Sequence, residues 1–375
     1  MVTEWHAGGL DDKESVLKLA FLGGGLNSAV GYTHYLAARL DGLFEVVAGC
    51  FSRDPKINYQ TAIRMGVSPD RCYASREELL QREHGVVDAV CVLTPTPDHL
   101  DTVIALLEAG FDVICEKALA TSVEEAALIE DAVAGSKKRL FVTFNYSGYP
   151  MVREAKALID AGRIGRIQQV FCEMPQESFS RIEANPQDWR RRDYSLPCVS
   201  LDLGVHVHQL VYLLTGAGPA GALSAWEGSF GRIKGVIDTV AVTGQNEARA
   251  LYNLYWGKAT SGYANGLKFR VFGDEGSLEW CQSHPELLMI NNNRGGRHVL
   301  ERGQPELCVA NEPRYNRFKA GHPAGFVEAF ANLYMDFYDG LSCRENHEIA
   351  NVGVKVAADG LRFLHEVHGR ASRCV

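Results

Sequence analysis

From Leu17 to Asn145 the chain alternates short apolar runs with stretches of helical period, and few folds accept that pattern: it builds parallel strands joined by helical crossovers. The spacing predicts strands over Lys18 to Leu22, Glu45 to Phe51, a short one near Arg71 to Tyr73, Asp88 to Leu93, Asp112 to Cys115 and Leu140 to Asn145. Helices fill the intervals. Ser75-x-x-Glu78 and Ser122-x-x-Glu125 each have the spacing of a capping box, which satisfies orphan amides at a helix start. The expectation is an α/β chain whose first unit, residues 1–145, is a doubly wound parallel sheet behind a loose tail over 1–16.

Beyond Asn145 the alternation stops. Helical stretches near Val152 to Ala161 and Gly204 to Leu214 interleave with strand-like runs at Ile167 to Met174, Val236 to Thr243, Ala248 to Trp256, Leu267 to Phe272 and Leu287 to Asn291. Strands that follow one another favour a mostly antiparallel sheet, with Asp274-Glu275-Gly276 as a turn. Phe326 to Tyr338 and Val352 to His365 read as closing helices with an apolar stripe. Residues 146–375 are thus expected to form an α+β unit with a large open sheet. A length of 375 residues agrees, because one compact core seldom serves so long a chain.

A formal charge of −8 with dispersed basic residues argues against a nucleic-acid surface. The densest basic run, Arg190-Arg191-Arg192 beside Trp189, is either a solvated loop or an anion contact. Ten cysteines include no C-x-x-C pair, which argues against a zinc ribbon, and no metal site is expected. Cys50, Cys91 and Cys115 lie in apolar runs, where a thiol acts as a small hydrophobe in a reducing compartment. No signal-peptide pattern and no run of membrane-spanning length is present, so the expected place is the cytoplasm, with no membrane partner. The Asn145-Tyr146-Ser147 sequon is then a chance match.

The first strand runs into Gly23-Gly24-Gly25-Leu26-Asn27-Ser28, placing Gly23, Gly25 and Ser28 in G-x-G-x-x-small register. Glycines there allow a tight turn and a close approach of main chain to a pyrophosphate, whose charge rests on the amides opening the next helix. The second strand ends in Gly49-Cys50-Phe51-Ser52-Arg53-Asp54, without the expected terminal acid. Ser52 and Arg53 suit a 2′-phosphate; Asp54 either reaches a ribose or only turns the chain before Pro55. The cofactor expectation is NAD(P), with the choice open. Thr94-Pro95 and His99 follow the fourth strand at the ligand-binding edge, where His99 serves either the cofactor or the first turn of the next helix.

At the same edge Glu116-Lys117 follows the fifth strand, where an ammonium can stabilise oxyanion character while Glu116 orients the cofactor side. Far away, Asp202-Leu203-Gly204-Val205-His206 places an acid and a histidine four apart, on one face of a helix. They form either a proton-accepting dyad or a capping acid with a satisfied histidine. His208 points elsewhere on that helix.

Together the glycine loop Gly23 to Ser28, Thr94 to His99, Glu116-Lys117, the Asn145-Tyr146 strand end and Asp202-x-Gly204-x-His206 resemble the Gfo/Idh/MocA family across nearly the whole chain. Gly321-His322-Pro323-x-Gly325-Phe326, Pro175-Gln176 and Trp189-Arg190 point toward its inositol, anhydrosugar and polyol dehydrogenases. The resemblance implies a Rossmann unit binding NAD(P) through Gly23, Gly25, Leu26, Asn27, Ser28, Ser52, Arg53, Thr94, Pro95, His99, Glu116, Lys117 and Asn145. It implies Lys117, Asp202 and His206 as the catalytic trio, with Tyr146, Gln176, Trp189 and His322 lining a pocket for a small sugar or polyol. The activity implied is interconversion of a secondary alcohol and a ketone, in a homodimer or homotetramer joined through the second sheet. Two other roles belong to the same resemblance: a dinucleotide-binding sugar sensor without turnover, and a glycosidase that recycles its NAD. Ala118 stands where the family has proline, and Cys198 to Leu201 replace glycines before the aspartate, so substrate preference is expected to differ.

Overall fold

The computed structural model describes residues 15–218, 223–319, 321–342 and 352–374. Most of the expected N-terminal tail and Cys343 lie outside the described residues. The first sheet contains β1 (Leu17–Gly23), β2 (Phe44–Cys50), β3 (Ala89–Leu93), β4 (Asp112–Glu116) and β5 (Leu140–Thr143), all parallel in the order β2-β1-β3-β4-β5. Between them run α1 (Gly31–Leu40), α2 (Pro55–Met65), α3 (Arg76–Glu83), α4 (His99–Glu108) and α5 (Val123–Ser136). The Ser75 and Ser122 hydroxyls accept the Glu78 and Glu125 amides, and each glutamate turns back to the amide just before its serine.

The strand expected near Arg71 to Tyr73 is reduced to a single bridge between Cys72 and Gly49. A tight turn over Pro69–Arg71 leads into it, and side chains of α2 and α3 engage Tyr73: Asn58 donates to the Tyr73 carbonyl, and the Tyr73 hydroxyl donates to Glu83. Polar groups satisfied that way are withdrawn from a ladder.

After α6 (Pro150–Asp160) comes the second sheet: β6 (Ile167–Pro175), then α7 (Val205–Thr215), β7 (Leu223–Gly228), β8 (Thr239–Gln245), β9 (Leu251–Gly257), β10 (Lys268–Gly273), β11 (Gly276–Cys281), β12 (Leu287–Asn292) and β13 (Arg297–Glu301). With β14 (Ala371–Cys374) the order is β13-β12-β11-β10-β6-β9-β8-β7-β14. Only the pairs β6–β9 and β7–β14 are parallel, so the sheet is mostly antiparallel. Asp274 and Glu275 form the turn between β10 and β11.

Two closing helices, α8 (Phe326–Ser342) and α9 (Val354–Arg370), return to the first sheet. Side chains alternate across a strand, so Leu19 and Phe21 of β1 face one way while Ala20 and Leu22 face the other. The face with Leu19, Phe21, Ile114 and Phe141 is closed by Phe330, Leu333, Tyr334 and Phe337 of α8. The opposite face merges with the core of the second sheet. No helix among the described residues is long and apolar enough to cross a membrane.

Candidate active site

A cleft of about 650 Å³ opens where the strand order reverses between β1 and β3. Gly23, Gly25, Asn27, Ser28, Ser52, Arg53, Thr94 and Pro95 line it from the first sheet, with Glu116 and Lys117 deeper and Trp189 and Arg190 across from them. Gly23 ends β1 at φ +85°, and a Cβ there would stand 2.8 Å from the main chain of Leu93 and Thr94. α1 begins at Gly31, later than the glycine register suggests. The Ser28 hydroxyl accepts the amides of Val30 and Gly31, and the close approach of turn and helix occurs at Gly31, where a Cβ would stand 2.0 Å from the Gly24 carbonyl oxygen. Two polar atoms, Thr94 Oγ1 on the cleft wall and Asn145 Nδ2 just beyond β5, are buried without a partner. A glycine cradle at a switch point with unspent hydrogen-bonding atoms fits a dinucleotide.

Other expected residues serve the frame or stand at the rim. Leu26 is half exposed, and its amide donates to Thr61 Oγ1 at 3.1 Å. His99 is fully buried, with its ring nitrogens 2.8 and 2.9 Å from the carbonyls of Ala118 and Thr94, so it braces two loops beneath the cleft. Asp54 caps α2 by accepting the amides of Lys56 and Ile57. Arg53 pairs with Asp98 at the mouth. His322 is exposed, and its carbonyl accepts from Arg302.

Glu116 ends β4 inside the cleft and is held by His34 Nε2 at 3.0 Å and by the Thr143 hydroxyl. Burial works against its ionised form, but the His34 contact and neighbouring Lys117 hold the carboxyl below its ordinary value. The next residue, Lys117, donates from Nζ to both Oδ1 and the carbonyl of Asp202, each at 2.8 Å. The Lys117–Ala118 peptide is cis.

Asp202 does not lie in the first turn of an α-helix, as its spacing from His206 suggests, but in a π-helical turn over Ser200–Gly204 that leads into α7. Gly204 sets the packing here: a Cβ would stand 2.8 Å from Leu364 and 3.0 Å from Trp256. The wider turn leaves the Asp202 carbonyl facing Lys117 and its carboxylate inside a cluster of cations. Arg190 Nε donates to Oδ2 at 3.1 Å, a second Arg190 nitrogen to Oδ1 at 3.3 Å, and Lys258 Nζ to Oδ2. Burial raises the pKa of such a carboxyl, yet Lys117, Lys258 and Arg190 outweigh it and hold Asp202 well below the usual range.

His206 opens α7, buried, with its ring 4.7 Å edge-on from that of Tyr146 and Nδ1 without a partner. Burial first and Lys117 second hold its pKa well below the ordinary value, so the ring is neutral at pH 7. The Tyr146 hydroxyl accepts from Asn265, whose carbonyl accepts a long 3.5 Å contact from Gln176 at the end of β6. His208 faces away, against Gly218, Gly360 and Phe363. Sequence reading missed Lys258 and Asn265. The available signal was position: Lys258 follows β9 and Gln176 follows β6, two parallel strands whose carboxyl ends lie side by side.

A neutral imidazole and a lysine beside a dinucleotide-sized cleft suit proton removal coupled to hydride transfer. Residues 17–144 match the family model described as an oxidoreductase family with an NAD-binding Rossmann fold, and residues 152–279 match the GFO/IDH/MocA C-terminal domain. The chain is 29% identical over 373 residues to an uncharacterised oxidoreductase of Bacillus subtilis, covering 93% of each. It is 29% identical over 226 residues to a levoglucosan dehydrogenase of Pseudarthrobacter phenanthrenivorans, covering 54% of this chain and 58% of that one. An inositol dehydrogenase homologue of Azotobacter vinelandii, solved with NADH and myo-inositol, superposes with a TM-score of 0.85 at 30% identity, over 94% of this chain and 96% of that one. The glycine cradle, the lysine at the end of β4 and the acid and histidine around α7 are thus features of a chain that belongs to the Gfo/Idh/MocA family of NAD-binding oxidoreductases.

Proposed function

We propose that the protein interconverts a secondary alcohol and a ketone on a sugar, inositol or sugar derivative, using NAD(P). The observation that carries this reading is the meeting of Lys117 from β4 with Asp202 beside α7, at the inner end of the nucleotide cleft. Gly23, Gly25 and Ser28 would cradle the dinucleotide, with Glu116 and Asn145 nearer its reactive end. A bound oxidised nicotinamide supplies the hydride acceptor. The carbinol carbon gives up its hydrogen with both electrons, the hydroxyl proton passes to the neutral His206 ring, and the carbon–oxygen double bond forms. Lys117 Nζ stabilises the oxygen as it becomes anionic, and Tyr146, edge-on to His206, holds that ring in place. Names of the relatives support the substrate class, since one is called an inositol and one a levoglucosan dehydrogenase.

The nucleotide unit over 1–145 and the substrate and assembly unit over 146–375 belong to the same proposal. So does a homodimer or homotetramer through the outer face of the second sheet, where Trp226 and Leu251 are exposed beside a groove of about 260 Å³. The nine described cysteines are unpaired, which supports a cytoplasmic place. The test is absorbance at the reduced-nicotinamide band with NAD and NADP in parallel, across inositols, aldoses, anhydrosugars and sugar acids. Reduction that disappears in Lys117→Met and His206→Ala upholds the reading. Tight dinucleotide binding with no reduction by any member transfers the site to a sensor or an NAD-recycling glycosidase.

A further inference from the structure

The carboxylate of Asp202 is shared by three cations. Lys117, Arg190 and Lys258 bring four donor contacts to its two oxygens, which fills the lone-pair directions a carboxylate offers. Among the described residues, none of the three has another carboxylate within salt-bridge distance. Neighbouring acids are engaged elsewhere. Asp193 accepts the amides of Cys198 and Ile237, Asp238 those of Phe230 and Gly231, and Glu177 the Arg181 guanidinium and the Gly262 amide. Glu116, the next acid in the field of Lys117, is held by His34 and Thr143, so three cations share one directly paired carboxylate.

A structural role for this cluster would need one cation for one carboxylate. Burying surplus cations costs free energy until an anion joins them, and Lys258 is only 5% exposed. Two of the three also face the site, while Lys258 stands behind them on the far oxygen of Asp202. Arg190 lines the cleft together with Lys117, its guanidinium laid 4.2 Å over the Trp189 ring, which fixes the plane of its donors. An oxidised nicotinamide adds a further positive charge.

From this juxtaposition we infer that the substrate is an anionic sugar or polyol, whose carboxylate or phosphate is received by Arg190 and Lys258 while Asp202 anchors the cations instead of binding a substrate hydroxyl. The inference rests on the dehydrogenase reading for its chemistry and on the charge cluster alone for its specificity. The specificity then lies in two side chains, one in the loop before α7 and one just after β9.

The test pairs hexuronic acids, aldonic acids and hexose phosphates with their neutral hexose or alditol counterparts, measuring kcat/KM and, by calorimetry with bound oxidised dinucleotide, Kd. One acid or phosphate should exceed its neutral partner in both readouts, and which series does so names the anionic group. Lys258→Met should weaken the anionic member roughly 10- to 100-fold, as loss of a charge-assisted contact does, and the neutral member far less, with Lys258→Arg recovering most of the loss. Should Lys258→Met fail to fold, Arg190→Gln on the cleft wall tests the same preference. A neutral member used and bound as well as its anionic partner overturns the inference and leaves the dehydrogenase standing. Anion-selective binding without turnover upholds the inference and defeats the dehydrogenase, while neither binding nor turnover of any member defeats both.

Discussion

The carboxyl edge of the five-stranded sheet and the carboxyl ends of β6 and β9 meet at Asp202, yet they are built from different materials. On the nucleotide side the wall is main chain and small residues, with Gly23, Gly25, Ser28 and Thr94 forming a cradle whose shape matters more than its charge. On the other side the wall is ionic: Arg190 and Lys258 converge on one carboxylate, and the neutral His206 ring stands beside an aromatic one. Recognition by backbone tolerates little added volume; recognition by charge tolerates changes of shape but not of electrostatic balance.

The largest effect should come from the residue that belongs to both walls. Lys117→Met is expected to lower kcat by about 10²- to 10⁴-fold while dinucleotide affinity, read by reduced-nucleotide fluorescence, falls far less. An equal fall in both would erase the division between the two walls. Asp202→Asn removes the counter-charge from three cations, and breaking a buried ionic cluster of this kind costs about 3 kcal/mol. Chemical denaturation at neutral pH should show that loss; an unchanged midpoint would mean the cations disperse into solvent.

Two histidines on α7 sharpen the comparison, one at the ionic wall and one in the core. Burial lowers the pKa of His208 to about 4, so the unfolded chain binds its proton first as pH falls. Its contribution is complete above about pH 6.5 and is lost between there and about pH 4, on the order of 3 kcal/mol. His206 is shifted in the same direction, so His208→Gln should lessen the acid sensitivity of unfolding without abolishing it. A wild-type pH profile overlaid by the variant's would remove His208 as a cause. The smallest effect is expected from Gly204→Ala, whose methyl meets Leu364 and Trp256 and should cost about 1 to 3 kcal/mol, read as a lower Tm with the nucleotide cradle intact.

The two walls also differ in how far the sequence discloses them. Gly23 to Ser28, Glu116-Lys117 and Asp202 to His206 are short motifs in which residue type follows from local geometry, and the five parallel strands are near-continuous apolar runs. Lys258 is a single lysine after a strand, and only the parallel pairing of β6 with β9 brings it to Asp202. Arg190 lies in a basic run that reads more readily as a solvated loop, and the π-helical turn at Asp202 packs Gly204 against Leu364 and Trp256, which are distant in sequence. β11 carries alternating Leu278 and Trp280 in a short polar stretch, and β13 is mostly exposed, so neither resembles a buried apolar run. β14 is a strand only because the chain end lies parallel to β7.

The return of α8 to the first sheet has a consequence for how the protein is made. A ribosome delivers all five parallel strands before the helix that closes one of their faces, so Leu19, Phe21, Ile114 and Phe141 wait for Phe330, Leu333 and Phe337 until the strands β6 to β13 have been synthesised. The hydrogen bond from the Val142 amide to the Val352 carbonyl adds a second late attachment to the sheet. Nascent chains stalled before Phe326 therefore carry an adhesive apolar face, and the first sheet is closed only after translation has passed β13.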